Sequence, residues 1–162
     1  MNFRIGFGYD VHQLVEGRDF WLGGIKIPHI KGALGHSDAD VLVHVICDAL
    51  LGAANLGDIG KHFPDNSKQF KDIDSKLLLN KVVQMLKENH YEIVNIDSTV
   101  CLQLPKLAPY INQMKDELAK CINIESDRIS IKATTTEKLG FVGNEKGVSA
   151  YATVLINKVG VS

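Results

Sequence analysis

Residues Arg4–His12, RIGFGYDVH, combine glycines with a carboxylate and an imidazole near the start of the chain. The stretch Phe3–Tyr9 predicts a β-strand. Residues two apart on an extended strand point to the same side, so Asp10 and His12 can aim at one metal ion. One carboxylate and two imidazoles suit a catalytic ion of the Zn²⁺ type that keeps a fourth coordination position open. The segment therefore predicts two ligands of a metal centre, with the third supplied from elsewhere in the fold.

His44 is the candidate for that third ligand, because it lies inside an otherwise apolar helix predicted from about Ser37 to Asn55. Asp40, His44 and Asp48 recur at every fourth position and form one polar ridge along this helix. Burying such a ridge is costly unless its members are paired or bind something. Asp40 or Asp48 is therefore predicted to accept a hydrogen bond from His44 and to fix its tautomer. Alternatively, Ser37-x-x-Asp40 is a capping box and Asp48 faces water.

His36 and Ser37 stand immediately before this predicted helix. Backbone N–H groups at a helix start attract anions, and a hydroxyl and an imidazole add further hydrogen-bonding groups there. The pair is therefore predicted to contact a phosphate. Ser37 can equally be the helix N-cap, and the two roles are compatible because the cap position is also the anion position.

Thr134–Glu137, TTTE, is a second polar cluster and follows a predicted strand. Hydroxyls can hold phosphate oxygens, and Glu137 can bind a hard cation such as Mg²⁺ that bridges them. A plain polar turn is the alternative. In the predicted long loop Gly57–Asp72, Asp58 and Asp65 can hydrogen-bond a polyol or can simply be turn residues.

Strand-like and helix-like segments are interleaved along the chain, without an internal repeat or a linker. This pattern predicts an α+β fold of one domain, residues 1–162, with a mixed β-sheet and helices packed on one of its faces. Gly23-Gly24 predicts a β-hairpin within Phe20–Ile30. The remaining predicted elements are helices over about Asp74–Asn89 and Lys106–Cys121 and strands over Tyr91–Leu104, Arg128–Thr134 and Val148–Asn157.

Composition argues against several classes of function. The 162 residues carry a formal net charge of −1, which gives no overall attraction to nucleic acid or to an anionic membrane. No apolar run approaches the ~20 residues that cross a bilayer. The three cysteines are widely spaced and predict free thiols in a reducing compartment. The first residues are neither a signal peptide nor a transit segment, so a cytoplasmic location is expected, or an organellar one only if a leader has been trimmed.

The distinctive stretches of the chain are, in order, Arg4–His12, His36–Asp40, His44, Asp48–Ala54, Leu56–Gly60, Phe63–Asp65, Pro105-Lys106 and Lys132–Phe141. Together they closely resemble one family, the 2-C-methyl-D-erythritol 2,4-cyclodiphosphate synthases of the non-mevalonate isoprenoid pathway. The resemblance implies a homotrimer with three active sites at the subunit interfaces. It also implies a reaction, the cyclisation of 4-diphosphocytidyl-2-C-methyl-D-erythritol 2-phosphate with release of CMP.

By the same resemblance, Asp10, His12 and His44 are expected to bind Zn²⁺, one ion per subunit. Glu137 is expected to bind a second divalent ion, Mg²⁺ or Mn²⁺, between the substrate phosphates. The family's transition-state residues correspond to His36 and Thr135, and its substrate-binding residues to Ser37, Asp58, Ile59, Gly60, Phe63, Pro64, Asp65, Leu102, Gln103, Leu104, Pro105, Lys106, Leu107, Ala108, Thr134, Thr136, Phe141 and Asn144.

Two positions depart from the pattern of some family members. Asn144 stands where some members carry an arginine that helps to bind phosphate, and Lys146 is a candidate for replacing that charge. Tyr151 stands where some members place a glutamate. That position is associated with a cavity on the threefold axis that can hold an isoprenoid diphosphate, so a ligand of this kind is a further expected partner.

Two other functions remain open alternatives on the sequence alone. A metallo-phosphohydrolase would share the same metal site but would use water as the attacking group. A non-enzymatic trimer that binds an isoprenoid diphosphate would need the axial cavity but not the cluster Thr134–Glu137. A purely structural metal site is disfavoured, because closed structural zinc sites are usually rich in cysteine.

Overall fold

The close approach of helix α1, Val41–Ala53, to strand β1, Phe3–Glu16, depends on two glycines. Gly6 and Gly8 are buried and face the helix. A Cβ on Gly6 would lie 1.8 Å from the carbonyl oxygen of Ala49, and one on Gly8 would lie 2.3 Å from another carbonyl oxygen of the helix. Any side chain at either position would therefore push the strand and the helix apart.

The computed structural model describes residues 2–64 and 73–160. Besides β1 and α1, its elements are β2 (Phe20–Leu22), β3 (Ile25–Ile27), β4 (Lys31–Ala33), α2 (Ile59–His62), α3 (Ser75–Glu88), β5 (Tyr91–Cys101), α4 (Ile111–Ile122), β6 (Ile129–Thr134), α5 (Gly140–Gly143) and β7 (Gly147–Lys158). A five-stranded sheet has the order β4-β1-β7-β5-β6, with β5 and β6 parallel and the other neighbours antiparallel. The separate β2-β3 hairpin turns at Gly23-Gly24. The predicted α+β architecture, mixed sheet and hairpin are thus confirmed.

One face of the sheet is covered by helices and the other is open. Helix α1 packs on β1 and β7, α3 packs on α1, and α4 packs on α3 and β6. On the open face β1 presents large apolar side chains, including Ile5, which is 73% exposed, and Phe7, which is 64% exposed. Tyr9, Val11 and Tyr151 are also exposed, and we refer to these five residues as the open-face row.

Among the described residues, no helix is both long and apolar enough to cross a membrane.

Asp40 joins the hairpin to the start of α1. The helix begins later than predicted, with Asp40 rather than Ser37 as the N-cap. The buried carboxylate of Asp40 accepts hydrogen bonds from the backbone N–H groups of Val43 at 3.0 Å, Gly23 at 2.9 Å and Gly24 at 2.7 Å. Burial raises the pKa of Asp40, while these N–H groups favour its charged form and act in the opposite direction. The capping box Ser37-x-x-Asp40 is therefore wrong, because Asp40 itself caps the helix and Ser37 lies three residues before it.

The predicted loop Gly57–Asp72 contains a short helix that the sequence analysis missed. Asp58 is the N-cap of α2, and its carboxylate accepts a hydrogen bond from the backbone N–H of Lys61 at 2.9 Å. A single helical turn is too short to show an apolar period, so only its cap residue marks it in the sequence. Asp65, predicted to bind substrate, lies outside the described residues.

Two further boundaries differ from the prediction next to prolines. Strand β5 ends at Cys101 rather than at Leu104, and Cys101 is the last residue of β5 in both of its ladders, where it pairs with Ser149 of β7 and with Thr134 of β6. The helix predicted from Lys106 begins instead with a 3₁₀ turn that contains Pro109, which lacks an N–H to donate. The ends of α3, β6 and β7 lie within one residue of their predicted positions.

Candidate active site

Asp10, His12 and His44 meet beside a cavity, as the sequence analysis expects. Strand β1 continues past Tyr9, so Asp10 and His12 share the face that α1 covers, and α1 brings His44 to the same place. Asp10 Oδ2 is 3.0 Å from His12 Nε2 and 3.2 Å from His44 Nδ1, and the two nitrogens are 3.3 Å apart. In the part of the chain that the structure describes, this is the one group of three or more His, Cys, Asp or Glu side chains close enough to share a metal ion.

The triangle of donor atoms fits a tetrahedral zinc ion. Zn–N and Zn–O bonds of about 2.0–2.1 Å give such a tetrahedron edges of about 3.3 Å. The triangle formed by Asp10, His12 and His44 has edges of 3.0, 3.2 and 3.3 Å and therefore nearly these dimensions. Three protein donors leave a fourth position for a substrate, as in catalytic zinc sites.

Hydrogen bonds on the far side of each imidazole select the nitrogen that faces the centre. His12 Nδ1 donates to the carbonyl oxygen of Leu34 at 3.0 Å, which leaves a lone pair on Nε2. His44 Nε2 lies 2.9 Å from Ser75 Oγ and 3.1 Å from Ser37 Oγ, which leaves Nδ1 for the centre. Both imidazoles are therefore presented as metal ligands usually are, with the second nitrogen hydrogen-bonded to the protein.

Asp10 and His12 stabilise each other's charged forms. Burial alone would raise the pKa of Asp10, but hydrogen bonds with His12 and His44 outweigh burial and hold that pKa well below its usual range. Burial alone would lower the pKa of His12, but the hydrogen bond and the negative charge of Asp10 raise it above its ordinary value. Asp10 is thus a carboxylate at neutral pH, and protons compete with a metal ion for the same nitrogen atoms.

The prediction that Asp40 or Asp48 orients His44 is wrong. The carboxylate of Asp40 is turned towards the helix start, and Asp48 accepts a hydrogen bond from the backbone N–H of Ile59 at 2.8 Å. The partners of His44 are hydroxyls, those of Ser37 and Ser75. Nothing in the sequence pattern indicated Ser75, because a serine in the first turn of a helix is an ordinary feature.

A cavity of about 220 Å³ opens beside the three donors. Ile73 and Leu78 also contribute to its wall. The sequence did not indicate either residue, because Leu78 belongs to the apolar stripe of α3 and Ile73 lies between the predicted loop and the predicted helix. Asp58 and Pro64 are exposed and do not line the cavity, although their neighbours in the sequence, Ile59 and Phe63, do. The predicted site residues that line this cavity with the donors are His36, Ser37, Ile59, Gly60 and Phe63.

A second cavity, of about 210 Å³, lies where β5 ends beside β6. It is the region that the resemblance assigns to cytidine. Its wall also contains Ile111, Ile131 and Ala133, which are apolar residues that the sequence does not distinguish from core residues. The predicted residues that line it are Leu102, Pro105, Lys106, Leu107, Ala108, Thr134 and Thr135.

The two cavities are separate within one chain, and none of the described residues lines both. In the sheet, Asp10 pairs with Ala150, Ala150 with Val100, and Val100 with Ala133. Three strand spacings of about 4.8 Å place Asp10 about 14 Å from Ala133, two residues before Thr135. A single chain therefore does not bring Thr135 to the three donors.

Local hydrogen bonds shape the loop that carries Glu137. Thr135 Oγ1 donates to Glu137 Oε1 at 3.2 Å, and Thr136 Oγ1 donates to the carbonyl oxygen of Leu139 at 2.7 Å. The backbone N–H of Lys138 donates to the side-chain oxygen of Gln103 at 3.4 Å, which ties this loop to the segment after β5. The exposed carboxylate of Glu137 therefore lies on a defined turn, next to the threonines predicted to hold phosphate.

Asn144 stabilises its own turn. Its side-chain amide donates to the carbonyl oxygen of Gly140 at 2.7 Å, and the same turn carries Phe141, which is exposed together with Leu104. Lys146 is also exposed. The substrate contacts expected of Asn144 and Phe141, and the replacement of a missing arginine by Lys146, therefore stay predictions.

Comparison with known proteins places this arrangement in one family. Residues 3–157 match the YgbB family model. A 2-C-methyl-D-erythritol 2,4-cyclodiphosphate synthase of Bacteroides fragilis is 64% identical over 159 residues, which cover 98% of this chain and 100% of the relative. The structure of a 2C-methyl-D-erythritol-2,4-cyclodiphosphate synthase with CDP bound has a TM-score of 0.88 at 36% identity and covers 95% of this chain and 100% of that chain.

The bifunctional IspDF of Campylobacter jejuni gives a TM-score of 0.94 at 40% identity. The match covers 98% of this chain, which spans only 43% of that longer protein. Sequence and structure therefore agree over almost the whole chain, including the strand and helix that carry the three donors. The chain belongs to the YgbB family.

Proposed function

We propose that this protein is a 2-C-methyl-D-erythritol 2,4-cyclodiphosphate synthase. It converts 4-diphosphocytidyl-2-C-methyl-D-erythritol 2-phosphate to the cyclic 2,4-diphosphate and releases CMP. The observation that carries this proposal is the triangle of Asp10, His12 and His44, which opens on a cavity lined by His36 and Ser37. Identity of 64% over 159 residues to a protein of that name supports the same substrate.

Asp10, His12 and His44 would hold the Zn²⁺ ion. When bound, the ion supplies a Lewis acid that withdraws charge from the diphosphate. His36 and Ser37 line the same cavity and are suited to hydrogen-bond phosphate oxygens during the reaction. Phe63, with Ile73 and Leu78, makes part of the wall apolar and reduces the water available to the reacting groups.

The substrate carries its own nucleophile, an oxygen of its 2-phosphate. The task of the protein is therefore to hold the substrate folded, with that oxygen in line with the phosphorus of the diphosphate. Such positioning is worth up to about 7–11 kcal/mol in favourable intramolecular reactions. In-line phosphoryl transfer needs little covalent help from the protein. The absence of a Gly-x-Ser-x-Gly motif from the sequence is consistent with this mechanism.

The second cavity would receive the cytidine. Leu102, Leu107 and Ala108 offer an apolar surface, and Thr134 and Thr135 offer hydroxyls at its edge. Glu137 would hold a Mg²⁺ or Mn²⁺ ion, which would supply positive charge to the phosphates of the substrate; the exposed carboxylate beside three threonines is suited to this role. This part of the chain would steady the departing CMP, and Thr135 would stabilise the transition state.

We further propose that the active protein is a homotrimer and that a neighbouring subunit completes each site. The separation of the two cavities supports this, because a single chain leaves about 14 Å between the strand positions of Asp10 and Ala133. The open-face row supports it as well, since contiguous exposed apolar surface usually marks a contact with another protein. Covering that row by copies of the same chain would bury Ile5 and Phe7.

Replacing Phe7 by glutamate is expected to prevent the assembly. The charge would stand in the middle of the open-face row, where burial without a partner is unfavourable. Sedimentation is expected to give three times the mass of one chain for the wild type and the mass of one chain for Phe7→Glu, with a parallel loss of turnover. Leu77→Glu is the matched control, because Leu77 is 52% exposed on α3 and lies outside the row. A fully active monomer would contradict the shared site.

The reaction itself is tested by product analysis in ¹⁸O-labelled water. Cyclisation is expected to yield CMP and the cyclic diphosphate in equal amounts with no label in either product. A phosphohydrolase with the same metal site would instead incorporate ¹⁸O into a phosphate. Removal of the metal by a strong chelator is expected to stop turnover, and adding Zn²⁺ back is expected to restore it. Full turnover by protein shown to be metal-free would contradict the mechanism.

Three expectations complete the proposal. Residues 1–162 are expected to act as one synthase domain, in the cytoplasm. An isoprenoid diphosphate on the threefold axis stays a prediction. The ring of Tyr151 lies 5.1 Å from that of Tyr9 and 6.4 Å from that of Phe7, so the position that carries a glutamate in some family members here belongs to a cluster of three aromatic side chains.

A further inference from the structure

Two serine hydroxyls lie within hydrogen-bond distance of His44 Nε2, and they are not equivalent. Ser75 Oγ is 2.9 Å from this nitrogen and Ser37 Oγ is 3.1 Å from it. The hydroxyl of Ser75 also donates a hydrogen bond to Asp38 Oδ1. The backbone N–H of Ser75 donates to Asp38 Oδ2 at 2.9 Å, so one carboxylate accepts two hydrogen bonds from this serine.

The hydrogen bonds that Ser75 makes with Asp38 determine the direction of the hydrogen bond between Ser75 and His44. A hydroxyl has one hydrogen, and that of Ser75 is already donated to a carboxylate, which can only accept. Ser75 Oγ can therefore only accept a hydrogen from His44, and Nε2 must carry the proton. The lone pair of the neutral ring then lies on Nδ1, which faces Asp10 Oδ2 at 3.2 Å.

Ser37 does not impose this choice. Its Oγ accepts a hydrogen bond from the backbone N–H of Ala39 at 3.1 Å and keeps its own hydrogen free to be donated. It can therefore donate to Nε2 or accept from it, and it tolerates either tautomer of His44. Of the two hydroxyls, only that of Ser75 discriminates between them.

We propose that Ser75, held by Asp38, is a positioning residue of the metal centre. It fixes the Nε2–H tautomer and the ring orientation of His44, so that Nδ1 is presented to the ion. The inference rests on the proposed function only in assuming that the centre binds a divalent cation. The negative charge of Asp38 is transmitted through the hydroxyl and makes the imidazole a stronger ligand, as a carboxylate in direct contact does in other metal sites.

Burial makes the arrangement hard to replace. Ser75 is 1% exposed and His44 is 7% exposed, so little room is left for a water molecule to take over the lost hydroxyl. Without Ser75 Oγ, His44 Nε2 keeps only the longer contact with Ser37. Loss of such an outer partner typically lowers metal affinity by about 10–100-fold.

The test measures metal binding rather than activity. The affinities of wild type, Ser75→Ala and Ser75→Thr for Zn²⁺ and Co²⁺ are determined by competition with a chelator, and the visible absorption of the Co²⁺ forms is recorded. Ser75→Ala is expected to bind about 10–100-fold more weakly, with a changed Co²⁺ spectrum, because the ring is no longer held in one tautomer. Ser75→Thr keeps the hydroxyl and is expected to recover most of the affinity and the wild-type spectrum.

Ser98→Ala is the matched control. Ser98 is a buried serine whose Oγ donates to the carbonyl oxygen of Ser130 at 2.9 Å, on strand β5, away from the donors. Its loss is expected to leave both metal affinity and spectrum unchanged. If Ser75→Ala does not fold, Asp38→Asn is measured in its place, because it removes the charge that directs the hydroxyl of Ser75. This variant is expected to weaken metal binding by about 10–100-fold as well.

The outcomes separate this inference from the proposed function. Wild-type affinity and an unchanged Co²⁺ spectrum in Ser75→Ala would overturn the positioning role and leave the metal centre standing. Failure of the wild-type protein to bind one ion per chain would overturn the metal centre itself, and the role of Ser75 with it.

Discussion

Replacing His44 by alanine is expected to remove the metal ion and the activity together. His44 Nδ1 is one of three donor atoms 3.0–3.3 Å apart, and the remaining pair, Asp10 and His12, cannot close the coordination. A Lewis acid contributes several kcal/mol to the transition state of phosphoryl transfer, so turnover is expected to fall about a thousandfold or more. Elemental analysis of the purified variant is expected to find much less than one ion per chain.

His90→Asn is the control for this variant. His90 is exposed in a turn with φ of 62°, a conformation that asparagine also adopts readily. Its metal content and turnover are expected to equal those of the wild type. Circular dichroism establishes that both variants are folded. One tightly bound ion per chain in His44→Ala would show that His44 is not a ligand.

Replacing Gly6 by alanine is expected to have the largest effect on the fold. The new Cβ would lie 1.8 Å from the carbonyl oxygen of Ala49 and 2.8 Å from the Cβ of Ala53. The first contact is with backbone and cannot be relieved by a change of rotamer, so β1 and α1 must separate. Overpacking of this kind costs about 3 kcal/mol or more of the free energy of unfolding. Urea denaturation at a fixed protein concentration is expected to show a lower midpoint with an unchanged slope.

Gly52→Ala tests the same helix without the clash. Gly52 is exposed on α1, and a Cβ there meets no atom within 4 Å. Alanine in a helix interior is more favourable than glycine by about 0.5–1 kcal/mol, so this variant is expected to be slightly more stable than the wild type. Equal stability of Gly6→Ala and Gly52→Ala would contradict the role assigned to the close strand–helix contact.

The metal donors on β1 and the donor on α1 could be predicted from different signals in the sequence. Asp10-x-His12 was indicated by the period of a strand, which places alternate residues on one side. His44 was indicated by chemistry, since a histidine among apolar residues of a helix calls for a partner. Both signals depend only on neighbours along the chain, and all three predicted residues meet in the structure.

The partners of His44 could not be predicted in the same way. Asp40 and Asp48 were favoured because they lie on the same face of the helix, but their carboxylates bind backbone N–H groups of other segments. Of the two hydroxyls that contact His44, the nearer belongs to Ser75, which is 31 residues away along the chain. Such a partner is chosen by how α3 packs on α1, and local periodicity contains no information about that packing.

The sequence by itself determined most of the segments that form strands and helices and which residue types are available for metal chemistry. These properties follow from backbone geometry and from the spacing of neighbours within one element. Only the tertiary structure decided that Asp40 locks a hairpin, that Ser75 directs His44, and that the two cavities stay apart in one chain. Each of these depends on distances between elements, which the packing of side chains and the register of the sheet determine.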